Sequence, residues 1–273
     1  MQRKLFCEIN ETTYKISALK CRAVRKIKDF SNSDKIAKEK TENDLPYRIY
    51  KHNSLIRRKL GNVDIQLQEN KAINLSLATP KVNKVIIKPK EVFSFWSLVG
   101  ICNESKGYKT GLTISGNQSS KGIGGGLCQF TNLLHWMILH TDLDIIEHHH
   151  HEGLDLFPDY GRQKPFGTGT SIVYNYLDYR FKNNTDNTYQ IIVYTDEKYL
   201  KGEIRAEKQQ NTKYHIKVED EHFSKEKGIV YRNGNVYRSA IDKKTGKVIK
   251  RELIKQNHAR VMYDTSNLEV VVK

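Results

Sequence analysis

The sequence lacks the features of a membrane-spanning or disulfide-rich protein. No apolar run approaches the ~20 residues that a transmembrane helix needs, and the mean hydropathy of the 273 residues is −0.65. The stretch from Met1 to Glu8 lacks the apolar core of a secretory signal. The chain has four cysteines, namely Cys7, Cys21, Cys102 and Cys128. Because they form no CxxC motif, we expect a reduced compartment and a cytoplasmic protein, with peripheral contact with a membrane as a further option.

Acidic side chains are scarce relative to basic ones, most of all near the N-terminus. The chain has 46 Lys and Arg against 31 Asp and Glu, a net charge of +15. Residues 1–60 hold 16 basic and 7 acidic side chains, so nine of the excess charges lie there. No helix-turn-helix, zinc-finger or RNP signature accompanies the charge, and we therefore expect no nucleic-acid partner.

The basic region also carries an apolar stripe. Residues 16–40 predict one or two helices, and apolar side chains recur there at helical spacing: Ile16, Leu19, Ala23, Ile27 and Phe30. The favoured interpretation is an ordinary packed helix with a solvated basic face. The alternative is contact with anionic lipid headgroups or with a wall polymer.

The run from Lys121 to Gln129 carries the strongest functional signal. Four glycines in five positions lead to Cys128, and an apolar segment of helix length follows. A helix that begins there presents free N–H groups at its positive end, which would stabilise a Cys128 thiolate. Neither a P-loop nor a dinucleotide fingerprint fits, since Leu127, Cys128 and Gln129 stand where those motifs need other residues. The alternative is a flexible loop with Cys128 as a small core residue.

A histidine run follows the predicted helix. Residues 143–146 suggest a short strand that leads into Glu147 and four histidines. In an extended stretch His149 and His151 point one way, and their two neighbours the other. A Cys–His pair is the usual arrangement of an activated thiol nucleophile. An exposed histidine run and a zinc or nickel site are the alternatives, and the metal site is the least favoured because adjacent histidines seldom all reach one ion.

At these residues the sequence resembles the VanW family. The matching motifs are Gln68-Glu69-Asn70-Lys71 with Asn74-Leu75, Ile87-Lys88-Pro89, Phe93-Ser94-Phe95-Trp96, Gly124-Gly125-Gly126-Leu127-Cys128-Gln129, Glu147 to His151, and Phe181 to Asp186. The resemblance covers residues 45–206, in this order and spacing, and the glycine–cysteine–glutamine motif carries most of its weight.

The resemblance implies a site as well as a family. Some VanW proteins are implicated as cysteine L,D-transpeptidases that cross-link peptidoglycan stems through a thioester, and others have no assigned activity. Cys128 would be the nucleophile and His151 the preferred base, with His149 on the same face. Backbone N–H groups would bind the oxyanion or the substrate at Gly124, Gly125, Gly126 and Gln129.

One position departs from the family pattern. Gly169-Thr170-Ser171 stands where many members have Asp-Ala-Thr, so the carboxylate that would orient the histidine is absent there. Glu147 or a backbone carbonyl would have to serve instead. We expect no metal and no cofactor.

The fold that we expect is α+β. A basic helical segment (1–44) precedes a core (45–206) of a glycine loop and helix packed on a mostly antiparallel sheet, and a β-rich extension (207–273) follows. Strands are predicted at 171–182, 189–194, 200–206 and 214–218, and turns at Asn233-Gly234-Asn235 and Thr245-Gly246.

The expected function is that of a cysteine acyltransferase of the L,D-transpeptidase type, acting on peptidoglycan stem peptides in cell-wall remodelling or glycopeptide resistance. A non-catalytic accessory protein that binds a cell-wall precursor or an envelope partner is the alternative.

Overall fold

The computed structural model describes residues 5–31, 34–58, 64–115, 118–150, 153–159 and 164–272. The helices are α1 (Glu11–Ser31), α2 (Ile65–Val82), α3 (Phe95–Val99) and α4 (Cys128–Ile138). The strands are β1 (Tyr47–Leu55), β2 (Ile86–Ile87), β3 (Val92–Ser94), β4 (Thr110–Ser115), β5 (Gln118–Ile123), β6 (Asp144–Glu147), β7 (Leu154–Asp155), β8 (Arg180–Lys182), β9 (Tyr189–Thr195), β10 (Tyr199–Ala206), β11 (Thr212–Glu226), β12 (Ile229–Asp242), β13 (Val248–Val261) and β14 (Val270–Val272). The predicted α+β class is confirmed.

A four-stranded antiparallel sheet, in the order β1-β10-β9-β2, supports the two long core helices. α4 is apolar on the side that it buries, where Leu133 and Met137 are fully enclosed. It packs on β1 and β10, and α2 packs on β9. At Gly202 in β10 a Cβ atom would lie 2.6 Å from Met137 Cε, so a glycine is needed for the helix to approach this closely.

Two smaller sheets bring the predicted motifs to α4. The hairpin β4–β5 leads directly into the glycine loop. The antiparallel sheet β3-β8-β6 ends at Glu147, and the histidine run continues from it. The glycine loop and the histidine run therefore both reach α4, by separate elements.

The C-terminal extension is a long antiparallel sheet of β11, β12 and β13, with β14 and β7 added in parallel at its edges. It touches the core at the end of α4, where Arg238 donates hydrogen bonds to the carbonyls of Leu139 (2.8 Å) and Thr141 (2.5 Å). A cation at the C-terminal end of a helix is favourable because that end carries the negative pole of the dipole.

Several local predictions hold, and others are wrong. The helix after the glycine loop, the strands at 189–194 and 200–206 and the turn at Thr245-Gly246 are confirmed. The strand predicted over 171–182 is reduced to β8, because Asn175 adopts a φ of 47° in a turn. The predicted turn at 233–235 lies inside β12, and the chain reverses instead at Lys227-Gly228, where both φ angles are positive.

The prediction for the basic N-terminal region is partly wrong. One helix forms, but α1 ends at Ser31, and Ile36 and Lys40 form isolated bridges with core residues instead of continuing a helix. The apolar stripe of α1 faces solvent, so the interpretation of a helix packed by that stripe is also wrong. Within the described ranges, no helix is long and apolar enough to cross a membrane.

Candidate functional site

The glycine loop turns the chain from β5 into α4, and α4 begins at Cys128 as the sequence predicted. Gly124 and Gly126 adopt φ angles of 74° and 91°, which side chains with a Cβ rarely tolerate. Gly125 lies against the backbone of Gly111 so closely that a Cβ on either residue would overlap the other. The glycines therefore allow the backbone of the glycine loop to cross that of β4 close to Cys128.

Two asparagines of α2 hold this crossing in place. The amide of Asn74, which is fully buried, donates to the carbonyls of Gly125 and Lys109, both at 2.9 Å, and accepts the Lys109 N–H at 2.8 Å. The amide of Asn70 donates to the Thr110 carbonyl at 2.7 Å. The sequence analysis gave these residues no role, although an i, i+4 pair of asparagines on one helix face is a detectable pattern.

Lys71 is a third residue of α2 to which the sequence assigned no role. Its aliphatic stem covers Gly126, where any Cβ would overlap it, and its Nζ donates to Gln68 Oε1 at 2.7 Å. Only 7% of the residue is exposed. Burial, together with the nearby charges of Arg58 and Arg57, lowers the pKa of Lys71 to about 7. An amine that is partly neutral at neutral pH thus lies beside the glycine loop.

Most of the predicted oxyanion donors are already engaged. The bonds run from Gly124 to the Lys109 carbonyl, from Gly125 to the Gly122 carbonyl and from Gln129 to the Gly126 carbonyl, each at 3.0 Å. The Gln129 side chain also donates to Ser54 Oγ and the Leu55 carbonyl. The N–H groups of Gly126 and Leu127, by contrast, have no hydrogen-bond acceptor among the described residues.

Cys128 is half-buried at the first position of α4. Burial raises the pKa of the Cys128 thiol, although hydrogen bonds from the backbone N–H groups of Ile172 and of Cys128 itself act to lower it. The expectation that the helix start stabilises the Cys128 thiolate is therefore wrong for this structure. The lost hydration outweighs the two donors, and the thiol keeps its proton at neutral pH.

An extended segment, residues 169–172, lies between the histidine run and α4. Asn132, one turn beyond Cys128, accepts the Thr170 N–H at 2.6 Å and the Thr170 hydroxyl at 2.9 Å. On its other side, the Ser171 N–H donates to the His149 carbonyl at 2.7 Å. Gly169-Thr170-Ser171 of this segment stands at the position where the resemblance places Asp-Ala-Thr in many VanW proteins. The same segment carries Ile172, whose N–H donates a hydrogen bond to the Cys128 thiol.

The histidines alternate as an extended chain requires. His148 stacks on His135 of α4 with ring centroids 4.2 Å apart, and its Nε2 donates to the Gly169 carbonyl at 2.8 Å. The ring of His150 lies on the same side, with its centroid 6.5 Å from that of His148. Burial lowers the pKa of His148 and that of His135, so both rings are neutral at neutral pH.

His149 points away from this group toward Glu147. Its Nε2 lies 3.0 Å from Glu147 Oε1. Burial acts to raise the pKa of Glu147, but hydrogen bonds from Arg25 and from the Asp178 N–H outweigh burial, and the pKa is lowered. Glu147 is thus an ionised anchor that orients His149, while a backbone carbonyl orients His148. The expectation that one of these groups orients His151 stays a prediction, because residue 151 lies outside the described residues.

The geometry at Gly169 singles out His150. A Cβ at Gly169 would lie 3.4 Å from His150 Nε2 and 3.8 Å from Asn132 Oδ1. An Asp in that position would therefore face His150. His151, the base that the resemblance favours, lies outside the described residues. In the described ranges, no three His, Cys, Asp or Glu side chains are grouped to hold a metal ion.

Comparison with known proteins finds a family and relatives that agree with the motifs in the sequence. Residues 70–205 match the VanW family, described as "VanW like protein". The chain is 34% identical over 222 residues to "Vancomycin B-type resistance protein VanW" of Enterococcus faecalis (strain ATCC 700802 / V583), which covers 81% of this chain and 80% of that protein. It is 28% identical over 118 residues to "Uncharacterized protein YoaR" of Bacillus subtilis (strain 168), covering 42% of this chain and 36% of that protein. No solved structure matches the chain significantly. The motifs, the family match and the first of these alignments together show that this chain belongs to the VanW family.

Proposed function

We propose that this protein is a cysteine-dependent acyltransferase that acts on peptidoglycan stem peptides and contributes to resistance against vancomycin-type antibiotics. One observation carries the proposal. Cys128 begins α4 directly after two N–H groups, those of Gly126 and Leu127, that have no acceptor among the described residues. A nucleophile beside free backbone donors is the arrangement that acyl transfer requires.

The reaction takes two steps at one sulfur. Cys128 Sγ attacks the carbonyl carbon of a stem peptide bond, and the Gly126 and Leu127 N–H groups hold the resulting oxyanion. The C–N bond breaks, the amine leaves with a proton, and a thioester remains. An amine of a second stem then attacks the thioester and loses its proton, which gives a new amide and the free thiol.

A base is needed from the first step, because burial raises the pKa of the Cys128 thiol and no preformed thiolate is available. We assign this role to His150, which shares with His148 the side of the run that faces α4 and lies next to Gly169. His151, which the family position favours, is the competing candidate.

The base is identified by alkylation of Cys128 with iodoacetamide across pH 6–9. We expect His150→Ala to slow the reaction at least tenfold and to shift its pH profile upward. His149→Ala is the matched control, since His149 is turned toward Glu147. A large effect of His151→Ala with none of His150→Ala would transfer the role to His151.

Catalysis is tested by intact-mass spectrometry after incubation with synthetic stem peptides. The parent should gain the mass of an acyl group and release the leaving amine, and the adduct should disappear on treatment with hydroxylamine, which cleaves thioesters. Cys128→Ser should bind the same peptides without forming an adduct. No adduct on the parent under any condition would exclude the transferase.

The competing function is a non-catalytic accessory protein that binds a wall precursor. The burial of Cys128 favours it, since a buried thiol that keeps its proton and bonds to the Ile172 N–H suits a structural part of a binding site. Glycopeptide susceptibility of cells that carry Cys128→Ser separates the two functions. Full resistance with this variant supports the accessory protein, and loss of resistance with unchanged peptide binding supports the enzyme.

A further inference from the structure

α1 is turned with its apolar side outward. Exposed fractions along the stripe are 51% for Ile16, 63% for Leu19, 68% for Ile27 and 92% for Phe30. These positions fall on one face of the helix, because they recur at intervals of three, eight and three residues. A helix that packs on its own core buries such a face, and this one presents it to solvent.

The opposite face of α1 holds the helix on the core by polar contacts. Arg25 is 14% exposed in its side chain and donates to Glu147 with both Nη atoms. Asp29 accepts from Arg180 at 2.9 Å, and the Arg22 guanidinium lies 5.4 Å from the centre of the Tyr174 ring. The orientation of α1 is therefore fixed by specific ion pairs, and the outward stripe is a consequence of this fixed orientation.

Lysines border the stripe. On a helical projection Lys20 and Lys26 lie on either side of it, each exposed. α1 contains six Lys and Arg against two acidic residues and so carries a charge of +4. An apolar face with lysines along its edges is the pattern of a helix that lies in the interface of an anionic membrane.

We propose that α1 docks this protein on an anionic lipid surface, with Ile16, Leu19, Ile27 and Phe30 inserted among the acyl chains. A second copy of the chain is a poorer occupant, because it would bring the bordering lysines of two helices together. A hydrophilic wall polymer would satisfy the lysines but offers nothing to the apolar stripe. Lipid headgroups and acyl chains match both features.

Docking would orient the candidate site relative to the membrane. The face of α1 opposite to the stripe contacts Glu147, which begins the histidine run and binds His149. A lipid surface held by α1 therefore lies on the side of Glu147 that is turned to α1, and the histidine segment keeps a fixed orientation to it. The inference stands on α1 alone and holds whether or not Cys128 is catalytic.

Vesicle co-sedimentation tests the proposal with the full chain. Vesicles of phosphatidylcholine with 30% phosphatidylglycerol should bind the parent at least tenfold more tightly than vesicles of phosphatidylcholine alone, and salt should weaken the binding. The variant Leu19→Gln/Ile27→Gln should reduce the partition coefficient at least tenfold. Val24→Gln is the matched control, since Val24 is 42% exposed but lies off the stripe, and it should bind as the parent does.

Three results would overturn the proposal. Equal binding by the stripe variant and by Val24→Gln would show that charge alone drives adsorption. Failure of the parent to bind the anionic vesicles would exclude the lipid surface. A dimer in sedimentation equilibrium that dissociates in the stripe variant would assign the stripe to a second copy. Circular dichroism of each variant tests whether the helix content is unchanged, which separates lost binding from lost folding.

Discussion

Lys71 is buried, and its Nζ donates a hydrogen bond to the neutral side chain of Gln68. Its pKa falls from 10.5 to about 7 in the folded protein. Between these values the unfolded chain binds more protons than the folded chain, so stability rises with pH over this interval. We expect the parent to gain up to roughly 4 kcal/mol from this residue between pH 7 and pH 10.

Urea unfolding at pH 7, 8, 9 and 10 measures this gain against Lys71→Met. Methionine keeps the stem that covers Gly126 and removes the titrating amine. The difference in unfolding free energy between parent and variant should favour the variant most at pH 7 and shrink as the pH rises. Curves that stay parallel across this range would contradict a lowered pKa for Lys71.

The substitution Gly169→Asp tests the placement of His150 by adding a carboxylate beside it. In Gly169→Asp the new carboxylate would lie beside His150, because the Cβ position is 3.4 Å from its Nε2. An opposite charge at this distance should raise the pKa of His150 by about 1–2 units. NMR titration of the histidine ring protons measures the shift, and Gly169→Asn, of equal size without charge, is the control. A shift at His148 or His149 with none at His150 would refute the placement.

At the scale of elements, the glycine loop depends on α2. In Gly126→Ala the new methyl group would overlap the Lys71 stem and would also strain a backbone with a φ of 91°. We expect a loss of roughly 2–5 kcal/mol in the free energy of unfolding. Gly107→Ala shares the positive φ (85°), but its nearest neighbour is Leu77 Cδ1 at 3.5 Å, so only the backbone cost of about 1–2 kcal/mol should appear.

A double variant separates the two causes. Gly126→Ala/Lys71→Ala removes Cγ and Cδ of Lys71, the two atoms that the new methyl group would meet most closely, so the two single losses should add to more than the measured double loss. Strict additivity would mean that the backbone strain alone is responsible and that Lys71 does not cover the loop.

Elements whose signal is local were predictable, and those set by distant contacts were not. Glycines before an apolar segment gave the start of α4 at Cys128, because a helix start depends on neighbours in sequence. The clamp from Asn74 to Gly125 spans 51 residues and leaves no local signature beyond helical spacing. Asn233-Gly234-Asn235 has strong turn propensity, yet pairing with β11 and β13 on both sides keeps it extended.

The predicted site stays a prediction, and the structure adds details that the sequence did not indicate. The glycine loop leads into α4 at Cys128, and His148 of the histidine run stacks on His135 of the same helix. Which N–H groups remain unbonded depends on partners such as Lys109, which sequence spacing does not identify. The pKa of Cys128 likewise depends on its burial and on the N–H of Ile172, which is distant in sequence. A helix-start motif alone predicts a lowered pKa for the Cys128 thiol. Burial, which depends on the tertiary structure, raises it instead.

At the scale of the whole molecule, Arg232 ties the chain segment that contributes β7, from the middle of the sequence, to β11 and β12 of the C-terminal sheet. This β12 residue is 5% exposed, and its guanidinium reaches Asp155 at 3.3 Å, Asp159 at 2.5 Å and Glu221 at 2.6 Å. Asp155 belongs to β7 and is 2% exposed. One cation thus neutralises carboxylates of two chain segments that are far apart in sequence.

Arg232→Met should cost about 3–5 kcal/mol, because Asp155 would stay buried after losing its guanidinium. Arg251→Met is the control: Arg251 is half-exposed and pairs with Glu219 on the surface, so its loss should cost no more than about 1 kcal/mol.

Differential scanning calorimetry distinguishes the two variants and also reports on cooperativity. If the sheet and the core unfold together through Arg232, the parent shows one transition and Arg232→Met shows two. A single transition lowered equally in both variants would mean that other contacts, such as those of Arg238 at the end of α4, join the sheet to the core.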